Sequence, residues 1–360
     1  ARRRYEAPQG EVEQSLAGIW QELLKLERVG RHDHFFELGG HSLLAVQLLV
    51  RVRQTFGASI TLRDLFTYPT LSGLSTVLNS GNSKTTHQNL IPIRPEGTEL
   101  PLFLIHSGGG GIDYARSMAP FVNIDMPIYG LEASGLTPGQ EPLKTIEEMA
   151  ELYIYWIRQV QQHGPYRIAG WSAGGIICYE IARRLIDLGE CVEFLGLLDT
   201  FYHQSSAAAE SFDDKSELIQ FLSRRVDQQA LDHIKQVAEA FDFQRLVEHI
   251  YETKLLPEEL ESLPILDGLT IHCALATRYA TRRAVDNYSL VKLPVPVWLF
   301  EAKENDPPTS HGWRDLLGDD MHVIAVDGKH TTMMTGEERL RYLGAAICEG
   351  IALSSLQAAA

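Results

Sequence analysis

Two rhythms of apolar residues divide the chain. Val12, Leu16, Ile19, Trp20, Leu23 and Leu24 recur at helical steps, and Leu43, Leu44, Val46, Leu48, Leu49, Val50, Val52 and Phe56 do so again up to Gly57. This predicts two amphipathic helices, the second ended by a glycine. A third element over 62–66 and a fourth over 71–78, entered after Pro69, complete a small helical bundle. Beyond residue 89 the pattern changes. Segments 90–93, 101–106, 127–131, 166–170, 192–198, 294–300 and 321–326 read as strands, and 145–162, 174–188 and 335–351 as helices among and after them. Strands apolar on successive residues, alternating with helices, predict a mostly parallel sheet covered on both faces.

Between the two patterns, residues 79–89 read NSGNSKTTHQN. No strongly apolar side chain is present to offset the entropy of ordering, so the stretch is expected to be a linker. The expected architecture is multidomain: an all-α bundle over 8–80, a linker over 81–89 and an α/β unit over 90–353. One interval interrupts the α/β rhythm. From Thr200 to about Lys292 no core strand is evident, yet 216–225, 230–240, 243–254 and 270–288 carry helical periodicity. Most of this, about 203–268, is expected to form a helical lid over the strand ends. The tail SSLQAAA, 354–360, is expected to fray.

Composition narrows the function classes. With 44% hydrophobic and 22% charged residues, 360 residues suffice for two separate cores. Apolar runs such as 294–300 fall far short of the roughly 18 residues of a spanning helix, and 1–10 lack a signal-peptide core, so a soluble cytoplasmic chain without a membrane partner is expected. The formal charge is −15, and it is uneven: nine Lys/Arg against eight Asp/Glu in 1–80, 23 against 39 in the remainder. So acidic a body argues against a nucleic-acid partner. Cys178, Cys191, Cys273 and Cys348 show no paired short spacing, which suggests buried thiols rather than a metal cage or disulfide framework.

The chemistry centres on YRIAGWSAGG, residues 166–175. Strand, Gly170-Trp171-Ser172-Ala173-Gly174, then apolar helix is the context of a G-x-S-x-G elbow, where a sharp turn exposes the Ser172 hydroxyl at the sheet edge. A serine needs a base oriented by a carboxylate. His330 follows the last strand in a short loop and is the favoured base over His311 and His322. Two carboxylates compete for the acid. Asp199 ends the apolar run VEFLGLLD, whereas Asp306 lies in a polar loop after a later strand. The restricted setting of Asp199 favours it. HSGGGG, 106–111, follows a strand directly, so backbone amides there can approach a ligand. Gly108, with Gly109 next, and Ala173 are the expected oxyanion donors, and His106 is expected to be structural.

In FFELGGHSLL, 35–44, Ser42 sits where a helix begins. From position alone it reads first as an N-cap, although a helix N-terminus would equally hold a phosphodiester on its hydroxyl. The wider run HDHFFELGGHSLLAVQLL, with RQTFG at 53–57 and FTYPT at 66–70, resembles peptidyl carrier proteins of nonribosomal peptide synthetases. That resemblance implies a four-helix bundle with 4'-phosphopantetheine attached to Ser42 by a phosphopantetheinyl transferase. Residues 90–353 resemble the type I thioesterases that end such synthetases, α/β-hydrolases with a helical lid. The family roles carried to matching positions are Ser172 as nucleophile, Asp199 in GLLD as acid and His330 in DGKH as base.

Together the resemblances imply a terminal didomain that receives a peptidyl thioester from its own carrier and releases it by hydrolysis or cyclisation, without a metal. Residues 1–10 look like the trailing edge of an adenylation domain, so upstream adenylation and condensation domains are expected partners. The alternatives are a carrier or docking module with an inactive hydrolase-like half, and a free-standing serine esterase.

Overall fold

The computed structural model describes residues 5–40, 42–56, 60, 64–65, 68–80, 89–137, 140–202, 212–223, 225–253, 268–318 and 320–358. The chain folds into two compact units, Ala1–Thr86 with Lys215–Ile271 and His87–Asp214 with His272–Ala360.

In the first unit, α1 (Gly10–Leu24), α2 (Ser42–Phe56) and α3 (Leu71–Ser80) enclose one core. Leu16, Trp20, Phe35, Leu48, Leu65, Leu71 and Leu74 are wholly buried in it. At about 1.5–3 kcal/mol each, such burial is what lets a short helical segment hold a core. Trp20 meets Phe35 edge-on at 5.1 Å, and Gly40 lies so close that a Cβ there would strike the Phe35 ring. The buried Glu13 carboxylate accepts from the Gln9 amide at 2.7 Å and from Arg31 at 2.9 Å, which offsets its desolvation. Of the third predicted element, Asp64 and Leu65 are helical, and 61–63 and 66–67 lie outside the described residues.

The same unit contains helices from the interval read as a lid: α7 (Asp214–Leu222, from Lys215 onward), α8 (Gln228–Ala240) and α9 (Phe243–Glu252). Asp227 caps α8 by accepting from the Ala230 amide at 2.8 Å. The lid's flanks, 203–211 and 254–267, lie outside the described residues, as do 81–88 of the linker.

The second unit is built on a seven-stranded sheet: β1 (Leu90–Arg94), β2 (Leu102–Ile105), β3 (Ile128–Leu131), β4 (Tyr166–Trp171), β5 (Val192–Leu198), β6 (Val297–Ala302) and β7 (Met321–Val326). The spatial order is β1-β3-β2-β4-β5-β6-β7, with only the β1–β3 pair antiparallel. Alternate residues enter opposite cores. Phe103, Ile105, Ile168, Leu195, Leu197 and Leu299 pack beneath α5 (Ile146–Val160) and α6 (Ala173–Asp187), and Leu102, Leu104, Ala169, Phe194, Leu198, Trp298 and Phe300 pack with α4 (Asp113–Met118) and α12 (Glu337–Ala358). Burial on both faces is why these strands read as continuous apolar runs. The α/β-hydrolase expectation of a mostly parallel sheet with helices on both faces is met.

Three details differ from expectation. Cys191 is exposed and Cys348 only half-buried, whereas Cys178 and Cys273 are buried. α10 (Gly268–Asp286) and α11 (Ser310–Leu317) flank β6, and α11 was not evident from periodicity. Nor does the tail fray at Ser354. α12 runs to Ala358 because Ser354 is buried and its Oγ accepts the Trp298 indole N–H at 2.8 Å.

Candidate active site

Parallel strands deliver their carboxyl ends to one edge of the sheet, and that is where the predicted groups emerge. β2 leads into His106, Ser107 and Gly108, β4 into Ser172, β5 into Asp199 and β7 into the loop carrying His330.

At Ser172 the backbone is forced to φ 58°, ψ −125°, an unusual conformation for a residue with a side chain. Its amide donates to Leu198 and its carbonyl accepts from Gly175, so the turn is fixed from both sides. The flanking glycines are demanded by close approach: a Cβ on Gly170 would enter the Gly174 backbone, and one on Gly174 the His106 carbonyl. The turn can therefore be sharp enough to present Ser172 Oγ.

Asp199 also has positive φ, 46°, immediately after β5. Its amide donates to Phe300 at 2.8 Å, and Trp313 donates to the next carbonyl, Thr200, at 2.7 Å, which ties the turn to β6 and α11. The carboxylate is completely buried. Oδ1 accepts from the Ala302 amide at 2.9 Å and is 3.3 Å from Thr309 Oγ1. Asn305 Nδ2 lies 2.9 Å from both Oδ1 and Oδ2. Burial by itself would raise the Asp199 pKa, but the bonds from His330, Ala302 and Asn305 together hold it below the ordinary carboxylate value. It is an anion at neutral pH.

His330 spans the remaining gap. Nδ1 is 2.7 Å from Asp199 Oδ2, and Nε2 is 3.1 Å from Ser172 Oγ. An anionic carboxylate accepts, so the proton belongs on Nδ1 and Nε2 is left to accept the serine hydroxyl proton. Two aromatic rings flank the imidazole, Trp171 at 5.4 Å and Phe201 at 5.2 Å. They restrict its rotation and limit water at its edges.

Gly108 lies beside Ala173, where a Cβ built on the glycine would sit 3.7 Å from that of the alanine. Ala173 is the first residue of α6, whose early amides have no partner within the helix. Gly109 is exposed in the same loop. Gly108 and Ala173 are thus neighbours at the turn that carries Ser172, and the positive end of α6 favours negative charge there.

The other candidates lie apart. Asp306 is exposed. His322 is exposed and stacked on Trp298 at 4.2 Å, and the His311 side chain lies outside what the structure describes. His106 is buried, with Nδ1–H donating to the Ser107 carbonyl at 2.8 Å and Nε2 accepting from Tyr153 at 2.7 Å. Burial lowers its pKa to about 4. It is a neutral structural residue, as the sequence suggested. Sequence reasoning missed Asn305 and Thr309. Their only signal was adjacency to Asp306, in the loop where a rival acid had been weighed. Among the described residues, no group of three or more His, Cys, Asp or Glu could hold a metal ion.

The model for the thioesterase domain family matches residues 100–347. The chain belongs to that family. A second family, described as a phosphopantetheine attachment site, matches residues 14–78, so this thioesterase carries its own carrier region. The chain is 40% identical over 228 residues to malpinin synthetase of Mortierella alpina, covering 62% of this chain and 3% of that protein. It is also 40% identical over 216 residues to a dimodular nonribosomal peptide synthase of Bacillus subtilis (strain 168), covering 60% and 9%. It therefore spans a small fraction of these curated relatives. Among solved structures it is similar to a holo four-domain nonribosomal peptide synthetase bound to AMP and glycine, with a TM-score of 0.64 and 27% identity over 97% of this chain and 27% of that one. Carrier plus thioesterase is thus the architecture of this chain, and 4'-phosphopantetheine is the covalent group its carrier region implies.

α2, a 15-residue helix, begins at Ser42, whose side chain lies outside what the structure describes. The preceding turn has Gly39 at φ 99° and Gly40 pressed on Phe35, which explains the paired glycines before the serine.

Proposed function

We propose that this chain is the releasing end of a nonribosomal peptide synthetase, with Ser42 as the attachment point for phosphopantetheine and Ser172, His330 and Asp199 as nucleophile, base and acid. The observation that carries the reading is the continuous relay Ser172 Oγ, His330, Asp199, at 3.1 and 2.7 Å. When attached, phosphopantetheine supplies a thiol on a flexible arm, to which an acyl chain is joined as a thioester.

Ser172 attacks the thioester carbonyl while His330 Nε2 takes its proton. The imidazolium so formed is stabilised by buried Asp199, and the amides of Gly108 and Ala173 hold the developing oxyanion. His330 then returns the proton to the departing sulfur, leaving the acyl chain on Ser172. In the second half, His330 activates water or a nucleophile within the acyl chain, and product leaves by hydrolysis or cyclisation. Upstream adenylation and condensation domains would build the peptide, and a phosphopantetheinyl transferase would modify Ser42.

Loading the full chain with a peptidyl phosphopantetheine tests this. Wild type should release product and regenerate free thiol, whereas Ser172→Ala should retain the acyl group on Ser42, with release slowed at least about 10³-fold. Intact-protein mass spectrometry reads both. Product release by Ser172→Ala at the wild-type rate would refute the proposal.

A further inference from the structure

We propose that Asn305 is a positioning residue that fixes the Asp199 carboxylate for His330, an inference that rests on the serine, histidine and aspartate roles proposed above. A carboxylate held only by His330 could pivot about its broad terminal torsion, carrying Oδ2 out of line. The Ala302 amide restrains only Oδ1. Thr309 is an ineffective second tether, because its one hydroxyl proton is contested by Glu301, nearer at 3.1 Å against 3.3 Å for Asp199. Asn305 differs from both. Its Nδ2 reaches Oδ1 and Oδ2 at 2.9 Å each, so its amide braces the oxygen that faces His330 as well as the one that does not.

The loop after β6 thus contributes to the relay without contributing charge. Asp306 points to solvent, while its neighbour donates to the acid of another strand. Neutrality at 305 matters, since a carboxylate there would stand at hydrogen-bond distance from Asp199 and the two would share a proton rather than both ionise. When protonated, an acid at 305 would donate to Asp199 as the amide does, and when ionised it would repel it.

The test is fluorophosphonate labelling of the full chain, in which Ser172 Oγ bonds to phosphorus as fluoride leaves, read as a maximal rate constant and a half-saturating concentration. Asn305→Leu, of similar size but without donors, should lower the rate constant about ten- to a hundredfold with half-saturation unchanged within about twofold, because orientation is lost and not binding. Asn305→Asp, of the same shape, shares one proton with Asp199, so its rate constant relative to wild type should be highest at the acid end of a pH 5–9 series and fall at least about tenfold towards the alkaline end as the pair ionises, a pH dependence that a merely structural asparagine would not produce. Asn305→Asp matches the native side chain in size, so it carries the test if Asn305→Leu does not fold. An unchanged rate constant in Asn305→Leu, or a folded Asn305→Asp whose rate relative to wild type does not change with pH, overturns the assignment of Asn305. Labelling that persists in Ser172→Ala instead removes the reading of the site on which it rests.

Discussion

Burial opposes charge on both Asp199 and His106 at one sheet edge, yet only His106 gives its charge up. Both are completely buried. Asp199 retains its charge because donors converge on it, whereas desolvation keeps His106 neutral against the opposing pull of its bond to the Ser107 carbonyl. The linkage follows from the sign of the His106 shift. An unfolded histidine titrates near 6.5 and the folded one near 4. Between those values the unfolded chain binds a proton that the folded chain refuses, so stability falls as pH drops through that window, by about 3 kcal/mol in all. Denaturant midpoints of wild type and His106→Gln between pH 4.5 and 7.5 should show a shallower pH slope in the variant. Parallel curves would assign the acid sensitivity to other groups.

Elements are held by a few specific ties in addition to area. α5 begins with a reciprocal capping box, Thr145 accepting from the Glu148 amide at 3.1 Å and Glu148 from the Thr145 amide at 3.3 Å, and the helix expected over 145–162 begins at that same place. The end of α12 was not visible, because SSLQAAA shows nothing local to stop or extend a helix. Its order depends on Trp298, 56 residues away. Ser354→Ala should leave that buried indole N–H without its acceptor and cost about 1–3 kcal/mol. Thermal midpoints of wild type and variant measure this, with Leu356→Ala, at a position 69% exposed, as a control expected to change little.

For the whole molecule, the proposed function requires that one chain both carry and release the acyl group. Under that proposal a linker of about ten residues, as the composition of 79–89 suggests, would give an effective concentration near the millimolar range, so docking between carrier and thioesterase need not be tight. Single-turnover release from acyl-loaded protein should then have a rate constant independent of protein concentration between about 0.1 and 10 μM. Proportional dependence would mean that carriers are served by other molecules. No helix among the described residues is long and apolar enough to cross a membrane.

Much of this was legible along the chain because it depends on local pattern. Successive apolar residues marked strands buried on both faces, GWSAG marked a turn that only glycines permit, and LGGHSL marked a helix start bearing a serine. Even Asp199 could be preferred to Asp306, since a carboxylate ending an apolar strand has little freedom. What remained undetermined depended on contacts between distant residues: Asn305 bracing Asp199 across 106 positions, Trp298 ordering the end of α12, and helices between 215 and 271 grouping with the N-terminal unit. A residue's conformational preference is set by its neighbours in sequence. Its hydrogen-bond partners and solvation are set by whatever folding brings beside it.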